Sequence, residues 1–117
     1  SISIPIEASY VAGLKEINAR SWKLSGTTLD MSGSGVLALF SEKPHSNNRI
    51  QLVINPSPTE APIICLAHVV RSYRVRKNRY QVAFHFENVT PRTRDLIVSC
   101  CLQEQRRQLR ENVETPL

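Results

Sequence analysis

A chain of 117 residues can bury one hydrophobic core and is too short for two ordinary domains, so a single domain over residues 1–117 with one main site is expected. Fifteen Lys and Arg against ten Asp and Glu give a net charge of +5 and a pI near 9.5, which favours an anionic partner at a level many solvated domains also reach. No apolar run approaches the ~20 residues a membrane helix needs, and the three cysteines lack a Cys-x-x-Cys spacing, which argues against a spanning segment and a metal or redox motif and points to free thiols in a reducing cytoplasm.

The elements follow in chain order. Ile2, Ile4, Ile6, Ala8 and Tyr10 share one parity, which predicts a half-buried first strand over 2–12, with Pro5 marking an edge or bulge. Gly13 to Asn18 read as a turn, and Arg20 to Asp30, with Trp22 placed in or near the core, as a second strand. Val36 to Phe40 form a short buried third strand, Pro44 to Asn48 a loop, and Arg49 to Asn55 a fourth strand. Ile63 to Val75 and Tyr80 to Phe86 read as a fifth and a sixth strand joined by Arg76-Lys77-Asn78-Arg79. The period then changes. Thr90 suits a helix cap and Pro91 the first helical position, and Leu96, Ile97, Cys100 and Cys101 make an apolar stripe on a helix over about 91–112 that turns polar after Leu102. The expected fold is all-β with one helix: a six-stranded antiparallel β-barrel over about 1–88, with a C-terminal α-helix.

Between the second and third strands lies Asp30-Met31-Ser32-Gly33-Ser34-Gly35. A carboxylate accepts two hydrogen bonds, a hydroxyl donates or accepts one, and glycine allows positive φ and close backbone approach, so this turn can read a flat heterocycle with donors along its edge, such as a purine. The same residues also suit a hairpin turn that caps its own backbone, and both readings stand at this point.

The order of strands around this Asp-x-Ser-x-x-Gly turn, then Ala67-His68-Val69-Val70-Arg71, then Tyr80-Gln81-Val82-Ala83-Phe84-His85-Phe86 and an Arg-rich helix, resembles the PilZ family of cyclic di-GMP receptors over nearly the whole chain. The resemblance implies that Asp30 and Ser32 bind a guanine edge while Gly35 lets the backbone lie close, and that the protein is a receptor rather than an enzyme, with no cofactor, metal or catalytic residues. Cyclic di-GMP is the implied ligand, and a protein partner or covalently linked domain receives the signal. Receptors of this family also hold the dinucleotide with an Arg-x-x-x-Arg segment just before the first strand, and no such segment occurs near Ser1. Two readings follow: the arginines lie upstream in a longer parent protein, or the chain is a PilZ-type adaptor that holds a protein without the nucleotide.

Arg71, Arg74, Arg76, Lys77 and Arg79, interleaved with Tyr73 and Tyr80, are the densest basic segment. By alternation Arg71 shares a face with Val69 and Tyr73, which makes it the hairpin's candidate for a base or phosphate contact; a solvated hairpin tip is the competing reading. A small basic barrel could instead bind single-stranded nucleic acid, but the aromatics Tyr80, Phe84 and Phe86 fall on the expected core face. His45, His68 and His85 are scattered without metal spacing, Cys65 lies in an apolar strand, and no nucleophile–base or paired-carboxylate arrangement is evident, so catalysis is not expected. Nothing in the residues chooses among motility, exopolysaccharide or pilus outputs.

Overall fold

The computed structural model describes residues 3–10, 23–44 and 49–114; Ile2, Gly13, Trp22 and His45 lie outside them. Six strands form a closed barrel: β1 Pro5–Tyr10, β2 Lys23–Met31, β3 Gly35–Phe40, β4 Ile50–Ile54, β5 Ile63–Arg76 and β6 Arg79–Glu87, in the order β1-β2-β3-β6-β5-β4. Every neighbouring pair is antiparallel, and pairing of β1 with β4 closes the ring. Pro5 is therefore at no edge. It occupies the first position of a strand paired on both sides, where a missing N–H is tolerated.

Alternation builds the core. Ile6, Ala8, Val36, Ala38, Phe40, Ile50, Leu52, Ile54, Cys65, Ala67, Val82, Phe84 and Phe86 point inward and are buried, and each fully buried Ile or Leu contributes about 1.5–3 kcal/mol. Phe40 and Phe84 meet edge to face at 5.9 Å between centroids. The single buried polar side chain among the described residues, Thr28, accepts a hydrogen bond from the Ile4 N–H at 2.8 Å, so its burial leaves nothing unsatisfied.

After β6, Asn88 takes a left-handed turn (φ 51°) into α1, Pro91–Glu114. The Thr90 hydroxyl accepts the Thr93 N–H at 3.1 Å, and Pro91 takes the first helical position. Ile97, Cys100 and Cys101 are buried against the barrel, and the Cys101 thiol donates to the Met31 carbonyl at 3.3 Å. Leu96, expected in this stripe, is instead 51% exposed, because the helix presents the i, i+3, i+4 set starting at Ile97. Further along, Arg107 pairs with both Glu104 and Glu111. Glu104 sits below the usual carboxylate range, first because Arg107 hydrogen-bonds it and also through the Ser3 backbone, against the opposing effect of partial burial. The helix thus lies across the barrel end where β1 begins and β2 ends.

All three thiols are free and buried. Burial pushes Cys65 up to about 11, and burial reinforced by Cys101, Glu60 and Glu104 pushes Cys100 to about 11. Because the folded state favours the neutral thiol, its contribution to stability is complete below the unfolded value near 9 and is lost as pH climbs towards 11. Unfolding midpoints in urea are expected to hold steady to about pH 9 and then fall, and a thiol reagent should label the native chain far more slowly than the unfolded one. Fast native labelling at pH 8 would contradict this burial.

Candidate ligand-binding face

The outer face of the four strands β2, β3, β6 and β5 carries the candidate residues. Two β-bulges decide which side chains reach it. Alternation would send Asp30 inward with the buried Thr28, but an extra residue at Leu29 shifts the register so that Asp30 pairs with Leu37 and points outward while Met31 turns into the core. On β5 an extra residue at Val70 does the same: Val69 pairs with buried Phe84, whereas Arg71 pairs with Ala83 on the outer side. Simple alternation, which put Arg71 on the face of Val69, is corrected here. Arg71 keeps Tyr73 as its companion, with the guanidinium carbon 5.9 Å from the ring centroid.

The registers align these residues in rows. Asp30, Leu37, Ala83 and Arg71 lie side by side across four strands, so backbones about 14 Å apart carry the carboxylate and the guanidinium at opposite ends of an apolar floor. Beside this row, Gly35, His85 and His68 form a second, and Thr27, Leu39, Gln81 and Tyr73 a third. Beyond the third row a groove of about 440 Å³ opens between Ser25, Thr27, Ser41, Lys77 and Arg79.

Within the turn, Asp30 Oδ1 accepts the Met31 N–H at 3.0 Å, and Ser32 Oγ accepts the Ser34 N–H at 3.3 Å and shares a hydrogen bond with Ser34 Oγ at 3.1 Å. The self-capping that the residues allow is therefore realised. Among the described residues no cation lies within 4 Å of Asp30 and no carboxylate within 4 Å of Arg71, which leaves both charges available to a ligand. The glycines do not act through positive φ, since no described glycine adopts it. Gly35 is needed by the barrel itself, because a Cβ there would lie 2.4 Å from the Phe84 carbonyl oxygen. Gly33 rests against Arg94 and Val98, so the turn is braced on α1.

The start of the chain comes to this place. Thr28 N–H donates to the Ile4 carbonyl at 2.9 Å, and Ser3 reaches Glu104 of α1, so β1 begins beside the end of β2. The sequence model of the PilZ domain matches residues 8–103. The chain belongs to the PilZ domain family. Two solved structures share its fold: the PilZ domain with c-di-GMP of YcgR from Escherichia coli, at 20% identity and a TM-score of 0.67 over 98% of this chain and 95% of that one, and the Bacillus subtilis inhibitor of motility (MotI/DgrA), at 13% identity and a TM-score of 0.62 over 92% of this chain. The PilZ chain spans about half of the latter, 47%. No curated protein matches it. No described helix is long and apolar enough to cross a membrane.

Of the residues singled out in the sequence, this PilZ barrel brings Asp30, Gly35 and Arg71 to one outer face, with Ser32 in the exposed turn that bonds back to Gly35. His85 and His68 join them unannounced. The sequence shows them only as scattered over two strands, and the register reveals that they continue the row of Gly35.

Proposed function

We propose that this PilZ domain is a cyclic di-GMP receptor domain that carries out no chemistry and passes ligand occupancy to a linked domain or partner. The observation that carries this reading is the row Asp30, Leu37, Ala83, Arg71, a free carboxylate and a free guanidinium facing each other over a shallow apolar floor. Guanine N1 and N2 are donors that one carboxylate can accept, Leu37 and Ala83 offer a flat surface for a base, and Arg71 is aimed at the negative charge of the phosphates. The Ser32 hydroxyl keeps donor capacity through its exchangeable bond with Ser34. The YcgR PilZ domain, of the same fold, is solved with c-di-GMP.

Ile4 is fastened to Thr28, so the described residues begin near Asp30, and our reading gives a longer parent an arginine segment that reaches this side. Arginines on such a segment would fold across the face, close the ligand from above and so reorient whatever lies before them. The test is a calorimetric titration of cyclic di-GMP into residues 1–117 and into the protein with its natural upstream sequence. Tight binding by the longer protein and weak binding by the shorter one are expected; silence from both would leave the adaptor reading.

A further inference from the structure

We propose that His85, which lies outside the Asp30 to Gly35 motif, forms the opposite wall of the ligand notch and donates to a phosphate oxygen in its protonated form, so that ligand binding takes up a proton. The inference rests on the reading of this face as a cyclic di-GMP site and adds a binding residue and a proton linkage to it.

The geometry begins with Gly35, which pairs directly with His85, while the Phe86 N–H donates to the Ser34 carbonyl at 2.9 Å and ties the end of β6 to the motif turn. Gly35 has no side chain above the sheet. The space over it is therefore a notch with the Asp30–Ser32 turn on one side and the exposed His85 ring on the other. Ala83, two residues along β6, keeps the adjoining space low for the base, so a phosphate lying beside that base over Gly35 has His85 and Arg71 as the nearest donors across it.

The two histidines of this row are not equivalent. His68 Nδ1 is 2.9 Å from Glu87 Oε1, and Arg49 Nε donates to Glu87 Oε2 at 3.1 Å, so the His68 ring is anchored away from the notch in a three-membered chain. His85 has no hydrogen-bond partner among the described residues and stands 5.4 Å from the His68 ring, centroid to centroid. The groups around it are His68 and Arg71 from β5, Glu87 from its own strand with Arg49 behind, and Asp30 from β2. Phosphate charge arriving in the notch favours the imidazolium over the neutral ring. Imidazole is the side chain that exchanges its proton near neutrality, and a ligand that prefers the protonated form binds more tightly as pH falls.

The experiment is calorimetric titration of cyclic di-GMP into the protein with its upstream sequence at pH 6 and pH 8, in buffers of different ionisation enthalpy, for the wild type, His85→Gln and His68→Gln. The wild type is expected to bind about fivefold more tightly at pH 6, with net proton uptake, as for an imidazole whose charged form the ligand favours tenfold. His85→Gln should bring the two affinities together at the weaker value and remove the uptake, while His68→Gln keeps both. Because His85 is exposed, thermal unfolding should not change and serves as the folding control. A pH-independent wild type, a His85→Gln variant that keeps the ratio, or loss of the ratio in His68→Gln alone overturns the assignment of His85. No binding at either pH overturns the receptor reading, and this inference with it.

Discussion

Replacing Asp30 by alanine in the full-length protein is expected to weaken cyclic di-GMP binding at least tenfold while leaving stability within about 0.5 kcal/mol of wild type. The carboxylate is exposed, makes one local bond to the Met31 N–H, and touches no cation among the described residues, so the fold loses little with it. A guanine edge loses two charge-assisted hydrogen bonds, each contributing about 1.5–3 kcal/mol, and one decade of affinity corresponds to about 1.4 kcal/mol. Asp30→Asn should also weaken binding, because the amide turns a donor towards guanine donors. Calorimetry on both variants checks the assignment, and an unchanged affinity for Asp30→Ala would remove Asp30 from the site.

Gly35→Ala is expected to act in the opposite sense, on the fold first. The added Cβ would meet the Phe84 carbonyl oxygen at 2.4 Å, and the obstacle is backbone in the wall of a closed barrel, which cannot swing aside as the tip of a side chain can. Overpacking of this kind costs about 2–3 kcal/mol, and a domain of this size then loses roughly 8–12 °C in Tm. Thermal unfolding followed by circular dichroism measures it; a Tm within 2 °C of wild type would show that the β3–β6 pair yields. With both outcomes as expected, the two variants would divide one hexapeptide between two tasks. Loss of binding in a Gly35 variant is therefore no evidence that the glycine touches the ligand.

Period and punctuation carried most of the fold. The six strands and the capped helix could be placed from alternation, from Thr90-Pro91 and from the change of period after Glu87, because in a closed barrel each strand buries one face and alternation survives. Less legible was anything that breaks the count. Nothing in Thr28-Leu29-Asp30 or Val69-Val70-Arg71 marks an extra residue, since a bulge is defined by the strand opposite, and so Arg71 was assigned to the wrong neighbour. Leu96 misled for a related reason: an apolar residue next to a buried stripe reads as part of it until the helix is set on its barrel. Asp30, Ser32 and Gly35 could be singled out by residue type, but the Gly35 contact with Phe84 and the row it shares with His85 join residues about fifty positions apart, beyond the reach of local pattern.

Leu29 and Val70 also have a genetic consequence. Each works as a phase shift in a two-beat code, and because it has no partner opposite, its deletion alone would restore plain alternation, with Asp30 still beside Leu37 or Arg71 still beside Ala83. The strand would then be one residue shorter with its two faces unchanged, Asp30 and Arg71 outside and Met31 and Val69 towards the core. Length variation of one residue should thus be tolerated at Leu29 and Val70 and resisted between β3 and β6, whose pairing holds no extra residue to absorb it.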